Sequence, residues 1–269
     1  MTMLERGQDL GINYKVDKVD KVDGAAGATW LLFNGATLPL EFWDPVVRVL
    51  AAQDTVVRFD QRNAGATRAQ GPFSLLDTAA DAAAVLEHLG IQSAVVVGHA
   101  WGGRVAQVFA RDYPHLCDGL VICGTGGHVP ATASDESLAE MREAGRVGDK
   151  DTWSRLVEQI YCARGFAARQ PDEFADLLST MWPPSRRSAR WDPRIAPSAS
   201  YWGSALLPTL LIYGAQDQFG TPENADDLQS RLADVRRLDI VNAGHFVIRE
   251  AAQQVAQALQ DFARDLTQG

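Results

Sequence analysis

VVVGHAWGG, residues 95–103, decides how this chain is read. Three valines lead into a turn in which Gly98 and Gly102 stand two residues either side of Ala100, and RVAQVFARDYP continues from it as an amphipathic helix. A strand that passes into a helix through so short a turn brings the two elements very close. The residues two before and two after the apex must then be small, and the apex takes a strained conformation that displays its side chain. A reactive group belongs at such an apex. Here it is an alanine, which has nothing to offer as nucleophile, acid or base.

Outward from that turn, short β-branched runs alternate with helical patterns from residue 28 onward, the order of a parallel sheet with crossover helices. TWLLFNG (29–35) predicts a buried strand, EFWDPVVRVLAA (41–52) a helix and DTVVRFDQR (54–62) the next strand. SLLDTAADAAAVLEHLG (74–90) predicts a helix opened by Ser74 as N-cap, with Asp77 three residues on, and closed by Gly90. SAVVVGH (93–99) is a strand whose apolar residues run on without alternating, as in a strand covered on both faces. After the strand GLVICGT (119–125), residues 128 to about 206 offer helical pieces and Pro-rich joints such as MWPPSRR, with no convincing strand. Strand rhythm returns with PTLLIYGAQD (208–217). There follow a helix capped by Thr221 with Pro222 at its first position, the strand VRRLDIV (235–241) and a last helix from Arg249 to Leu266. The fold expected is therefore α/β: a mostly parallel central sheet flanked by helices, with a helical cap inserted. Residues 1–127 and 207–269 form the core, and residues 128–206 the cap, over the carboxyl ends of the strands where open α/β sheets bind ligands. KVDKVDKVD (15–23) repeats with a period matching neither helix nor strand and is placed on an exposed hairpin joining two leading strands.

The bulk properties suit that plan. At 269 residues and 29.2 kDa the chain fits one large α/β unit with an inserted subdomain. No apolar run approaches the roughly 18 residues that span a bilayer, so no membrane association is expected. The start, MTMLERGQDLGINYK, lacks the basic and apolar segments of a secretory signal, and a cytoplasmic location is expected. A net charge of −9 and a pI near 5.0 disfavour binding to phosphate backbones, so nucleic acid is not an expected partner. Cys117, Cys123 and Cys162 are odd in number and lack metal-type spacing; they read as buried small hydrophobes, with neither a disulfide framework nor a zinc site. With no phosphate loop, dinucleotide fingerprint or metal cluster, no cofactor and no metal are expected. The assembly expected is a monomer or homodimer.

Two further residues fall in a telling order. Asp217 follows the strand LLIYG in GAQDQFGTP, and His245 follows LDIV in NAGHF. Elbow, acid and base in that chain order form a triad in which the histidine takes the nucleophile's proton or activates water, while the carboxylate fixes its tautomer. Of the five histidines, His88 sits in a helix, His115 follows one and His128 begins the cap. His99, next to the apex, reads as a structural histidine pointing away from it. On these residues the chain resembles an α/β-hydrolase fold protein over essentially its full length, with GHAWGG where that family has its nucleophile elbow. The resemblance implies that Ala100 occupies the nucleophile position, Asp217 that of the acid and His245 that of the base. It also implies an oxyanion hole from the backbone N–H of Trp101 and of Ala36 in FNGATL. FDQRNAGAT (59–67) is similar to the family's D-x-R-G-x-G-x-S stretch, with Asn63 where glycine is usual; Asp60 and Arg62 then read as structural.

Two branches of the family leave the same gap. Serine at the elbow gives esterases, lactonases, C–C bond hydrolases and iminopeptidases; aspartate in a GHDWGG elbow gives epoxide hydrolases and some dehalogenases. The loop Asn34-Gly35-Ala36-Thr37 is not the His-Gly-x-Pro of epoxide hydrolases, and RFDQR resembles the serine branch. Against that, Tyr161 and Tyr201 lie in the cap, where epoxide hydrolases use two tyrosines. The expectation is a hydrolase of an ester or lactone bond in an apolar small molecule. Because glycines, acid and base are all retained, Ala100 reads as a deliberate Ser→Ala or Asp→Ala replacement that leaves a catalytically impaired protein. The alternative is a natural alanine, in a lyase, a cofactor-free oxygenase or a ligand-binding pseudoenzyme that uses Asp217 and His245 as a base alone. Trp153, Trp182, Trp191 and Trp202 lie in the cap with Tyr161, Phe166, Phe174 and Met181, favouring an apolar, aromatic or polyketide-like ligand. Trp153, Tyr161, Trp182 and Trp202 are the substrate-binding candidates. Arg186, Arg187 and Arg190 read as a solvated surface, with binding of a carboxylate as the alternative.

Overall fold

A computed structural model of the protein describes residues 2–6, 10–18, 27–62, 64–69, 72–182 and 198–267. The described residues form an eight-stranded sheet. Strand β1 (Thr2–Glu5) pairs antiparallel with β2 (Gly11–Asp17), and β2 antiparallel with β4 (Thr55–Phe59). From β4 the sheet runs parallel through β3 (Thr29–Phe33), β5 (Ala94–His99), β6 (Cys117–Cys123), β7 (Thr209–Gly214) and β8 (Val235–Ile240).

The chain builds β4 on one side of β3 and then crosses back to place β5 on the other, so the loops after β3 and β5 diverge at the carboxyl edge and leave a crevice between them. Alternation along each strand sends successive side chains to opposite faces. Trp30 and Leu32 of β3, with Val95 and Val97 of β5, meet α1 (Asp44–Leu50) and α10 (Ala252–Leu266) through Val47, Leu50, Leu259 and Phe262. Leu31, Phe33 and Val96 meet α2 (Leu75–His88), α3 (Trp101–Asp112) and α8 (Pro222–Arg231) through Val85, Phe109 and Leu228. Both faces are dry, which is why these strands read as unbroken apolar runs.

Local signals account for most boundaries. At the start of α2, Ser74 Oγ accepts from Asp77 N at 3.2 Å while Ser74 N donates to Asp77 Oδ2 at 2.8 Å, a reciprocal cap worth about 1 kcal/mol. Two expectations are corrected. The last helix is not continuous from Arg249: a short α9 (Val247–Glu250) ends at Ala251, whose φ of −135 breaks the ladder before α10. The break lets Arg249 and Glu250 turn inward to partners outside the helix. The repeat KVDKVDKVD is not a hairpin joining two leading strands where it is described. Lys15, Val16 and Asp17 end β2 and pair with Arg58, Val57 and Val56, because Asp17 ion-pairs with the buried Arg58 at 2.8 Å. Residues 19–23 of the repeat lie outside the described residues, as do Asn63, Arg186, Arg187, Arg190 and Trp191.

Between β6 and β7 the described residues carry α4 (Asp135–Val147), α5 (Lys150–Tyr161), α6 (Phe166–Arg169) and α7 (Pro171–Met181), and no strand. Among the described residues no helix is long and apolar enough to cross a membrane, and no group of three or more His, Cys, Asp or Glu is placed to hold a metal ion. The three cysteines are buried free thiols, and burial pushes that of Cys117 up to about 12.

Candidate active site

At the junction of β5 and α3, Ala100 has φ 52 and ψ −117, a region that L-residues avoid and that costs of order 1–3 kcal/mol. The junction is locked on both sides. Ala100 N donates to Cys123 O at 2.9 Å, and Ala100 O accepts from Gly103 N at 3.1 Å. A Cβ on Gly98 would stand 2.5 Å from Gly102 O, and one on Gly102 would run into the carbonyl oxygens of Phe33 and Asn34. Gly103, not singled out from the sequence, is equally constrained, by the Thr125 hydroxyl.

Asp217, just past β7, is held by Phe219 N at 2.7 Å and Gly220 N at 2.9 Å, both donating to Oδ1. His245 Nδ1 lies 3.0 Å from each Asp217 carboxylate oxygen. A carboxylate can only accept there, so Nδ1 carries the proton and Nε2 the lone pair. The histidine loop is tied to the helices between β6 and β7. His245 N donates to Tyr161 O at 2.7 Å, and the Glu250 carboxylate accepts from Gly244 N at 2.9 Å and Ala163 N at 2.6 Å. Arg249 reaches Glu173 at 2.6 Å and Asp176 at 2.5 Å on α7. Burial pushes the Glu250 carboxyl up to about 7, partly offset by its two backbone donors.

Across from His245, the loop after β3 carries the second strained non-glycine residue, Thr37 at φ 62. A β-branched residue in this region is an outlier that its surroundings must enforce. Asn34 does so from below, its Nδ2 donating to Leu38 O at 3.1 Å and Phe59 O at 3.2 Å. Trp101 N, in the first turn of α3, and Ala36 N meet no protein acceptor among the described residues. Both are thus free to donate to an oxyanion, with the positive end of the α3 dipole behind them.

Ala36, Ala100, Trp101 and His245 line one cavity of about 1030 Å³, with Trp153, Tyr161, Met181, Phe219 and Phe246 around them. Tyr161 is stacked between Phe219 and Phe246, at ring distances of 5.1 and 4.8 Å. Trp182 is not in the wall; it packs edge-on behind Trp153 at 5.2 Å. Trp202 is corrected as a substrate-binding residue. Its indole N–H donates to Asp227 at 2.6 Å and its ring fills the space beside Gly127, in the core cluster on the α8 side of the sheet. Tyr201 is buried in the same cluster. His99 does not point away. It lies in the cavity wall 5.3 Å from the His245 ring, with Nε2 2.8 Å from His245 O. That carbonyl requires an N–H at Nε2, and burial above all, with the neighbouring His245 imidazole second, pushes the His99 pKa down to about 3, so it stays neutral. Asp60 accepts from Leu40 N at 2.7 Å and Asn13 Nδ2 at 2.7 Å, and Arg62 pairs with Asp81 at 2.6 Å; neither lines the cavity, although Asp60 lies directly behind Gly65 of its wall. Sequence reasoning missed Phe219 and Phe246, which their neighbours Asp217 and His245 could have signalled, and also Met141, Arg104 and Arg142.

The family model described as alpha/beta hydrolase fold matches residues 30–167. The rhodomycin D methylesterase of Streptomyces peucetius is 36% identical over 90% of this chain and 93% of its own length. The poly(3-hydroxyalkanoate) depolymerase of Ectopseudomonas oleovorans is 27% identical over 86% of this chain and 83% of its own. Among solved structures, the enol-lactonase from Burkholderia xenovorans LB400 is 21% identical and superposes with a TM-score of 0.74, over 94% of this chain and 96% of that one, a likeness of fold.

Proposed function

The chain belongs to the α/β-hydrolase fold family, and from that premise we propose that its cavity is the site of an ester or lactone hydrolase for an apolar small molecule, with Ala100 standing where the nucleophile acts. The observation that carries this reading is the backbone of Ala100. A strained φ of 52 and ψ of −117 is maintained at a residue whose side chain has no use for it, beside an oriented His245–Asp217 pair. In the reaction for which this geometry is suited, His245 Nε2 takes a hydroxyl proton at the apex and the new alkoxide attacks the carbonyl. The oxyanion forms against Trp101 N–H and Ala36 N–H, and His245 returns the proton to the leaving alcohol; His245 then takes a proton from water, whose oxygen attacks the acyl carbonyl, and gives that proton back to the apex oxygen as the acid leaves. Methylesterase, depolymerase and enol-lactonase relatives support an ester or lactone bond, and Trp153, Tyr161 and Met181 support an apolar ligand.

With Ala100 in place the protein binds such a ligand and barely turns it over. Loss of a triad nucleophile costs about a million-fold in rate, ~8 kcal/mol, while binding and oxyanion donors remain. The test is to assay Ala100, Ala100→Ser and Ala100→Asp proteins together on an ester, a lactone and an epoxide. Activity of Ala100→Ser on esters or lactones is expected. Activity of Ala100→Asp alone, on the epoxide, would assign the site to carboxylate attack. Turnover fastest in the Ala100 protein would mean that His245 acts as a base without a covalent partner.

A further inference from the structure

The cavity wall holds two arginines and, among the described residues, no Asp or Glu. Arg104 lies one helical turn past Ala100 on α3, and a helical side chain leans back toward the helix N-terminus, which here is the floor of the site. Its Nε donates to Gly126 O at 3.0 Å in the loop after β6, which fixes the direction of the guanidinium, and its terminal nitrogens meet no acceptor among the described residues. Arg142 lines the same cavity from α4, with Tyr161 in the same wall. Neither has a carboxylate partner among the described residues, whereas the buried Arg58 and Arg249 each hold two. Asp217 does not compensate them. It stands behind His245, its oxygens engaged by His245, Phe219 and Gly220. In a chain of net charge −9, a cavity whose charged lining residues, among those described, are all cations is complementary to an anion.

We propose that the substrate carries a carboxylate on an apolar body, and that Arg104 and Arg142 bind this carboxylate while the scissile ester or lactone carbonyl faces Ala100. The guanidinium fork suits a carboxylate because its two parallel N–H groups match the two oxygens. Trp153, Met181 and Phe219 supply the wall for the apolar body. Only the orientation of the scissile bond rests on the hydrolase reading; the anion subsite rests on the two arginines.

The experiment measures binding to the Ala100 protein, where turnover does not interfere, using the monomethyl and dimethyl esters of naphthalene-2,6-dicarboxylic acid at neutral pH. The two probes share one body and differ by one charge. The monoanion is expected to bind about tenfold more tightly, the scale of one charge-assisted hydrogen bond. The preference should fall in Arg104→Gln and in Arg142→Gln and vanish in the double variant. Arg104→Lys, which keeps the charge and loses the fork, should retain part of it. Because both probes are measured on every variant, damage to the fold weakens both and leaves their ratio, which keeps the two causes apart. Equal affinities in the Ala100 protein, or a preference that survives in the double variant, would overturn the proposal. If Ala100→Ser hydrolyses the dimethyl ester as well as the monoanion, the subsite is refuted and the hydrolase reading stands. A charge preference with an inert Ala100→Ser protein refutes the hydrolase reading and leaves the subsite.

Discussion

Replacing Ala100 with glycine should make the protein more stable, although the substitution removes a methyl group from the folded chain. At φ 52 and ψ −117 the Cβ is crowded by its own backbone, at a cost of about 1–3 kcal/mol that glycine does not bear. The opposing term is the greater freedom of glycine in the unfolded chain, about 0.4–1 kcal/mol. Ala100 is only part-buried, so its methyl adds little through packing. The balance is a gain of about 1 kcal/mol, or roughly 2–4 °C in Tm for a domain of this size. Thermal and urea unfolding followed by circular dichroism measure it. The matched control is Ala106→Gly: Ala106 is buried in the middle of α3, where glycine loses about 1 kcal/mol of helix propensity. Opposite signs at the two positions are expected. If Ala100→Gly destabilises the protein as Ala106→Gly does, the apex is not strained and the argument from its backbone fails.

Gly102→Ala forces a Cβ onto the carbonyl oxygens of Phe33 and Asn34 and should cost about 3 kcal/mol; an unchanged urea midpoint would contradict that close approach. In the Ala100→Ser background, Asp217→Asn should lower kcat by about 10⁴, because an amide no longer fixes the His245 tautomer, and equal rates would show that Asp217 does not act through His245. Glu250, pushed up from 4.5 to about 7 by burial, holds its proton more tightly folded than unfolded. It therefore contributes stability at low pH that is lost as pH rises through that window. Glu250→Gln should flatten the change in urea midpoint between pH 5 and 7, and an unaltered slope would mean that the group titrates normally.

The elbow was legible because its constraint is local and steric: strand, turn and helix are consecutive, and Gly98 and Gly102 are demanded by backbone that lies close in sequence or in the adjoining strand. Asp217 and His245 were legible as strand-end residues because parallel strands deliver their C-terminal loops to one edge. The helical insert was harder. An aromatic on a short amphipathic helix packs inward or faces a cavity with the same periodicity, so Trp153, Trp182 and Trp202 looked alike, although only Trp153 lines the cavity. Trp202 was drawn to the other side of the sheet by Asp227, a partner that no local pattern announces. His99 was within reach of a stricter reading, since alternation along β5 sets it on the face of Val95 and Val97, where Phe42 and Phe246 meet it. Arg104 and Arg142 were not legible, because what sets them apart, that neither has an ion-pair partner among the described residues although both line the cavity, is decided by the tertiary fold and not by a local pattern.

The central claim, that the apex at position 100 is built to present a nucleophile activated by His245, is tested most directly by covalent labelling. The Ala100→Ser protein, treated with a fluorophosphonate and weighed by intact mass spectrometry, should gain one phosphonyl group, mapped by peptide digestion to position 100. A base-activated hydroxyl reacts in this way and an ordinary serine does not. The Ala100 protein and an Ala100→Ser/His245→Ala double variant should stay unlabelled. A folded Ala100→Ser protein that takes up no label at position 100, or one labelled equally without His245, would contradict the account.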